Sequence, residues 1–453
     1  MLARRTLIAT CLGGLGLALF GRARGSNTVE ITLDPATSYQ KIRGWEATVE
    51  VFWDSEQDPN RAEIYRRVIE EVGITRIRVE SFSGAENTDR SFDQFRTGAI
   101  DMEGWRARRY ATVNDNDDPF LINPAGFDWA NLDWRIDQHL VPLQAAAKAI
   151  GRTLEVTFTY VAFTKQIRGG IYIHTNPEEY AEFILAAFLH MRDKYGLVPD
   201  NFEPILEPDN IAQWNPVLMG QAIAAATRRL AHAGFTPRII APSVTDVKNA
   251  LPWFDGIASV PGALEGIKEL SYHRYHGAWP IILQKLAARA ESAGIETSML
   301  EFWGGKGTYQ TLHEDLKFAN VSCWQGRTVL KCHKIDPSKP LGQQLTLFED
   351  VRYNVQYYRH IHPGALRIAA ASSAPAAIDP LAFVNQDGAH TVVVKAEASA
   401  PLSINGLPAG QYRVSYAVPS GSVVLPDPVV VETGKPLLTE IPDKGVLTVA
   451  ALS

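Results

Sequence analysis

The chain has 453 residues, 46% of them apolar and 21% charged, enough to build a full hydrophobic core and incompatible with wholesale disorder. At roughly 100–200 residues per domain the length implies two or three units, unless one is a large α/β barrel. The formal net charge is −6, and it becomes more acidic without the first 25 residues, which carry four Arg and no acid. That balance argues against a nucleic-acid or anionic-membrane binder.

Residues 1–25 read as an address. Arg4 and Arg5 precede the uncharged run Thr6–Phe20, and Ala23-Arg24-Gly25 offers small residues at both ends of a cleavage tripeptide. The run is shorter than the ~20 residues that span a bilayer. A removed signal is therefore expected, with a secreted or periplasmic mature protein that has no membrane association. The Arg-Arg pair also resembles a twin-arginine signal. Of three cysteines, Cys11 falls in this segment. Cys323 and Cys332 either bridge or stay two buried thiols, because spacing fixes neither distance nor direction. No Cys/His cluster has zinc spacing.

From Ile42 to about Gly326, short β-branched runs alternate with helical stretches. Strands are predicted at Ile42–Thr48, Thr75–Glu80, Leu154–Tyr160, Phe202–Glu207, Arg238–Ser243, Glu269–Tyr275, Thr297–Phe302 and Asn320–Trp324. Eight such units fit a (β/α)8 TIM barrel better than an open doubly wound sheet. A helix follows Pro177, with Thr175 or Asn176 as cap, Glu178 and Glu179 at its positive end, and Gly196 closing it.

Two insertions interrupt the rhythm. Ser81 to about Trp129 is rich in Gly, Asp, Asn and Arg. Its Asn114–Asp118 run lacks the Gly and distal Glu of an EF-hand and reads as a solvated, self-capped loop. Lys306–Ala319 follows a candidate catalytic strand and could shape a cleft. After about Gly364, alternating runs separated by Pro, Gly, Asn and Asp turns read as a small β-sandwich. Asp387-Gly388 is a hairpin signal there, and Val29–Leu33 has the pattern to add a strand. The organisation expected is thus a signal (1–25), a strand joining the sandwich (26–41), a barrel (42–363) and the sandwich (364–453).

Barrel enzymes build their sites at the C-terminal ends of the strands. Two glutamates are predicted there: Glu207, in Ile205-Leu206-Glu207-Pro208-Asp209-Asn210, and Glu301, in Ser298-Met299-Leu300-Glu301-Phe302-Trp303. Each ends an apolar run, where a carboxylate is costly without a role or a partner. On strands four and seven they would flank one bond, and paired carboxylates are what glycoside hydrolysis needs. Glu203 is a rival acid on the same face, about 13 Å down the strand at ~3.3 Å per residue.

With these residues the chain resembles a retaining glycoside hydrolase of clan A, most like family 30, with family 39 close behind. Gln40-Lys41-Ile42-Arg43-Gly44-Trp45 resembles the entry from sandwich to barrel, and Glu207-Pro208-Asp209 the acid/base motif. Glu301 resembles the nucleophile, His273-Arg274-Tyr275 the His-x-Tyr of strand six, Arg78 the strand-two arginine, and Trp324 the tryptophan flooring the sugar site. The resemblance implies a carbohydrate substrate, two-glutamate chemistry, and no metal or organic cofactor; oligomeric state stays open.

Arg78 and the Tyr275 hydroxyl beside Glu301 would favour its ionised form, and a negative Glu301 would push Glu207 upward. Arg76 rivals Arg78. Trp45, Trp53, Trp105, Trp214, Trp279 and Trp303 are available for stacking, most of them destined for core or wall. One departure stands out: the family carries Asn before the acid/base, hydrogen-bonding the sugar 2-hydroxyl, and this chain has Leu206. Either another group, such as Asn210, does that work, or the substrate differs at C2, or activity is reduced. A sugar-binding barrel without efficient chemistry is the alternative reading; a metal-dependent barrel hydrolase is disfavoured by the lack of a His/Asp ligand cluster.

Overall fold

The computed structural model describes residues 28–50 and 58–452; the predicted signal, Cys11 and Trp53 lie outside the described residues. Strand β1 (Val29–Lys41) leads into a closed parallel barrel. The barrel strands are β2 (Gly44–Thr48), β3 (Arg76–Phe82), β4 (Glu155–Val161), β5 (Asn201–Glu203), β6 (Arg238–Val244), β7 (Ile267–His273), β8 (Glu296–Glu301) and β9 (Val321–Trp324). They pair in sequence order, and β9 closes on β2 through Gly44–Cys323 and Trp45–Trp324.

Alternation along each strand sorts the side chains. On β3, Ile77 and Val79 join the apolar layer beneath the helices. Arg76, Arg78 and Glu80 take the other face, into a largely polar barrel interior. Arg76 pairs with Glu46 and, at 2.9 Å, with Glu269, all fully buried. Buried ions repay desolvation only when paired this closely. Arg76, the rival of Arg78, is therefore a structural residue one layer below it.

The helix Pro177–Tyr195 is capped as its sequence requires. Asn176 accepts a hydrogen bond from the Glu178 N–H, and Gly196 takes the left-handed conformation, φ 64°. The Ser81–Trp129 insertion carries short helices at Ser91–Arg96 and Met102–Arg106 and packs around Phe82, Phe92, Trp105, Tyr110, Trp134, Val161 and Leu206. Lys306–Ala319 is mostly the helical layer after β8, at Tyr309–Ala319, rather than a cleft-shaping loop.

A hairpin, β10 (His333–Ile335) and β11 (Leu345–Leu347), and the helix Glu349–Tyr358 precede the C-terminal sheet. Its strands are β12 (Leu366–Ser372), β13 (Ile378–Val384), β14 (His390–Ala396), β15 (Ala400–Asn405), β16 (Gly410–Val418), β17 (Gly421–Val424), β18 (Val429–Val431), β19 (Leu437–Ile441) and β20 (Gly445–Ala451). With β1 they form a curled, sandwich-like mixed sheet in the order β17-β16-β20-β14-β13-β12-β1-β15-β19, β18 pairing with β16. β1 lies inside it, antiparallel to β12 and parallel to β15.

Ile31, Val392, Val394, Leu402, Val414, Leu447 and Val449 fill the curl, while Phe383, Val393 and Val446 join the barrel's apolar layer. Ser415 and Thr448 hydroxyls bond Gln356 of the Glu349–Tyr358 helix at 2.8 Å, so the two lobes share a packed boundary. Cys323 and Cys332 are buried free thiols. Among the described residues no helix is long and apolar enough to cross a membrane.

Candidate active site

Glu301 ends β8, and its two carboxylate oxygens have separate donors. Arg78 Nη2 lies 2.7 Å from Oε2, and the Tyr275 hydroxyl donates to Oε1 at 2.9 Å. Arg78 is almost fully buried and also reaches the Leu300 carbonyl at 3.2 Å and Glu80 at 3.2 Å. Burial opposes its charge, but Glu301, Glu80 and Glu203 outweigh that and raise its pKa.

Glu207 arrives differently from the strand-end position expected. β5 stops at Glu203 because Pro204 has no N–H to continue the ladder. The chain then runs between its neighbours: the Leu206 N–H bonds Tyr160 O at 3.0 Å and the Glu207 N–H bonds Ser243 O at 3.1 Å. Glu207 itself is left-handed (φ 51°, ψ 55°), as is Ser243 (φ 52°). Such conformations cost a non-glycine residue of order 1–3 kcal/mol and persist where the surroundings over-determine them. Asp209 supplies that constraint. Its carboxylate accepts from the Thr245 N–H at 2.7 Å, the Asp246 N–H at 3.3 Å and Asn249 Nδ2 at 2.9 Å, tying the turn to the start of the helix Val247–Ala258 that follows β6.

His273, the last residue of β7, places Nδ1 3.0 Å from Glu207 Oε1, while Asn210 Nδ2 donates to Oε2 at 3.2 Å. Glu207, His273 and Glu301 each present an atom within 4.8 Å of the other two, the only set of metal-ligating type so arranged among the described residues. A cation could be held there, but each carboxylate is already engaged and Arg78 and His273 supply positive charge.

The protonation pattern corrects the expectation for the two acids. Burial pushes Glu301 up; His273 and Arg78 oppose this, the Glu207 charge adds to it, and the result is a raised pKa. Burial also pushes Glu207 up, but the hydrogen bond and charge of His273 outweigh it and hold Glu207 below its ordinary value. His273 is raised: burial works against its charge, and Glu301 and Glu207 overcome it. The expectation overlooked His273 as a charged partner.

Of the remaining sequence candidates, Trp303 lies with its ring 5.7 Å from the Arg78 guanidinium and borders a cavity of about 380 Å³. Glu50, Arg327, Thr328, Lys331 and Phe348 also line it. Its size is that of a small-ligand pocket. Trp324 does not join the site. It is fully buried, its Nε1 donates to Asp315 at 2.9 Å and its ring lies 6.4 Å from Tyr358, on the helix side of β9. Glu203 sits in the interior below Arg78, 4.0 Å away, and accepts from Thr159. Trp45 and Trp105 are core, Trp214 bonds Tyr172, and Trp279 is 63% exposed. Glu80 has no role in the sequence reading, and Asp209 enters it only as part of the Glu207-Pro208-Asp209 motif; the signal for Glu80 is an acid inside a strand, on the face that Arg76 and Arg78 share.

No protein-family model matches the chain, and no curated protein is similar to it in sequence. Solved structures are similar in fold. A family 30 endoxylanase from Clostridium papyrosolvens C71 matches over 94% of this chain and 100% of its own, at 16% identity and TM-score 0.66. The catalytic domain of family 30 xylanase C from Talaromyces cellulolyticus matches over the same shares, at 16% and 0.69. An endo-β-1,6-glucanase matches over 95% of each chain, at 14% and 0.64. The protein thus has the fold of the family 30 glycoside hydrolases, barrel and attached sheet together.

Proposed function

We propose that the protein is a retaining glycoside hydrolase acting on β-glycosidic bonds of a poly- or oligosaccharide or glycoconjugate. The observation that carries this is that one carboxylate oxygen of Glu207 and one of Glu301 lie within 4.8 Å of each other at the mouth of the barrel. Retaining enzymes hold their carboxyls about 5–5.5 Å apart, whereas inverting ones leave about 6.5–9.5 Å for a water.

In this reading Glu301 attacks the anomeric carbon as the bond to the leaving oxygen breaks, and Glu207 protonates that oxygen. Glu207 then takes a proton from water, which displaces Glu301 and releases the sugar. Arg78 and Tyr275 orient the nucleophile. His273, whose pKa Glu301 and Glu207 raise, lies one hydrogen bond from Glu207 and can supply the proton that Glu207 must deliver. Transfer to Glu207 leaves a neutral imidazole and a carboxylic acid, the state general acid catalysis requires. The cavity beside Trp303 offers room for further sugar units. The named neighbours include xylanases and a β-1,6-glucanase, which supports a β-linked glycan as substrate.

The test is sugar release from β-glucans, xylans, galactans and aryl β-glycosides, beside Glu301→Gln and Glu207→Gln and with EDTA. NMR of the first anomer formed reads retention. Release abolished by both substitutions and indifferent to EDTA is expected; release indifferent to the substitutions refutes the assignment.

Leu206 favours a second reading, sugar binding without turnover. Its side chain belongs to the apolar cluster with Phe82 and Trp105, and leucine offers no donor to a sugar hydroxyl. That reading predicts binding that barely depends on Glu301 and no release from any glycoside.

A further inference from the structure

Arg78 holds Glu301 through one nitrogen. Its Nη2 lies 2.7 Å from Glu301 Oε2, while the second carboxylate oxygen goes to Tyr275. The two-point fork that arginine can offer a carboxylate is therefore not formed. Nη1 donates to the Leu300 carbonyl at 3.2 Å, and Nε is buried without a partner. The same Nη2 also lies 3.2 Å from Glu80 Oε1. Two carboxylates thus compete for one nitrogen, and the outcome decides how firmly Glu301 is held.

The competition is biased from outside the barrel strands. Glu80 turns its other oxygen, Oε2, to Arg135 Nη1 at 3.1 Å. Arg135 ends the helix Ala130–Arg135, which follows the Ser81–Trp129 insertion. It is fully buried, its guanidinium lies 4.5 Å from the Phe82 ring, and its Nε and Nη2 have no hydrogen-bond partner. Glu80 is the one acid at ion-pair distance from it among the described residues. A buried arginine with a single counter-charge holds that charge strongly, because letting go leaves it unpaired. Charge therefore alternates along one chain: Arg135, Glu80, Arg78, Glu301. The neighbours leave this chain intact. Glu203 comes no nearer to Arg78 than 4.0 Å. Arg109, 5.1 Å from the same Phe82 ring, donates to Gln166 at 2.8 Å instead.

We propose that Glu80 and Arg135 are positioning residues: Arg135 draws the Glu80 carboxylate to itself and so leaves Arg78 to Glu301. The inference rests on the hydrolase reading above, in which Glu301 is the nucleophile. Both residues act through Arg78. The insertion is thereby joined to the chemistry, since Phe82, at the centre of its aromatic packing, also seats Arg135.

Two substitutions have opposite expected effects on the Glu301 carboxyl, which also faces His273, Tyr275 and Glu207. Glu80→Gln removes the competing charge at nearly constant volume, so Glu301 should titrate lower by about half a pH unit or more. Arg135→Met leaves Glu80 with Arg78 as its one ion-pair partner, so Glu301 should titrate higher. Arg109, Tyr110 and Glu50, the other groups in electrostatic reach of Glu80, are unchanged in both variants. In the double variant the Arg135 substitution should add little, because no second carboxylate remains to draw Arg78. The titration is read by NMR of the full chain carrying isotope-labelled glutamate carboxyls, with the Glu301 signal identified by its loss in Glu301→Gln. No turnover is needed, so the result stands apart from whether the chain is a hydrolase. Where glycoside release is measured, the acid limb of kcat/KM should move in the same directions. An unmoved titration in Glu80→Gln, shifts of one sign in both variants, or an Arg135→Met shift undiminished beside Glu80→Gln would overturn the proposal. If Arg135→Met fails to fold, the sign of the Glu80→Gln shift decides alone.

Discussion

His273 Nδ1 lies 3.0 Å from Glu207 Oε1, while Nε2 of the same ring is buried without a hydrogen-bond partner. One ring nitrogen thus addresses the proposed acid. Burial opposes a charge on the ring, and Glu301 and Glu207 outweigh it and raise its pKa.

The pH profile of kcat/KM should reflect this pair. Glu301 must be ionised to attack, and its pKa is raised, so activity should fall as pH drops through a value above the ordinary 4.5. In the proposed mechanism His273 supplies the proton for Glu207, and its pKa is raised above 6.5, so the alkaline limb should lie above the ordinary imidazole range. His273→Gln removes that source and should move the alkaline limb down toward carboxylate values. Rates of aryl-glycoside hydrolysis between about pH 4 and 9 check this, and an unmoved limb would place the proton elsewhere.

Tyr275→Phe deletes one of two donors to Glu301 and little volume. A hydrogen bond to a charged group is worth about 1.5–3 kcal/mol, so kcat should fall roughly 10- to 100-fold with the fold intact. Steady-state kinetics beside a thermal melt separate the effects; a lost fold would assign Tyr275 to structure.

Leu206→Asn introduces the residue type that the resemblance to family 30 leads one to expect before the proposed acid/base. Here that side chain is buried with Phe82, Phe92, Trp105 and Tyr110. The substitution should cost about 2–4 kcal/mol, through lost apolar burial and a stranded amide, without raising kcat. Urea unfolding and turnover measured on one preparation decide. A gain in turnover would show that this position faces the sugar.

Asp379 of β13 meets Lys317 Nζ at 2.7 Å and His313 at 3.4 Å, joining the sheet to the barrel's helical layer. Burial pushes its carboxyl up, but His313 and Lys317 prevail and hold it at about 2. A depressed carboxylate contributes stability above its unfolded pKa, here lost as pH falls from about 4 through 2. Lys317 is partly exposed, so Asp379→Asn should cost no more than about 1 kcal/mol. The difference in urea midpoints between parent and variant should shrink on acidification.

The barrel was legible because parallel strands buried on both faces read as β-branched runs, and Arg76–Phe82 and Glu155–Val161 fall within two residues of their predicted bounds. The carboxylate partners were legible through order along the chain. Glu207 was not legible as a turn residue, because its left-handed backbone depends on Ser243, Tyr160 and Asp209, which are distant in sequence. Trp324 misled for a related reason. A four-residue strand does not announce which face is inside, and the partners that settle it, Asp315 and Tyr358, lie on separate helices.

β1 pairs on both sides with strands from the other end of the chain, and the Glu30 N–H reaches the Ser373 hydroxyl across 343 residues. At roughly 5–20 residues per second of synthesis, β1 waits on the order of half a minute for its first neighbour. Throughout that interval the growing barrel trails an unpaired strand whose Ile31 and Leu33 lack their core. Birth order therefore couples the lobes: a ribosome can complete the barrel's helices, but the molecule's earliest described strand is among the last to find its place.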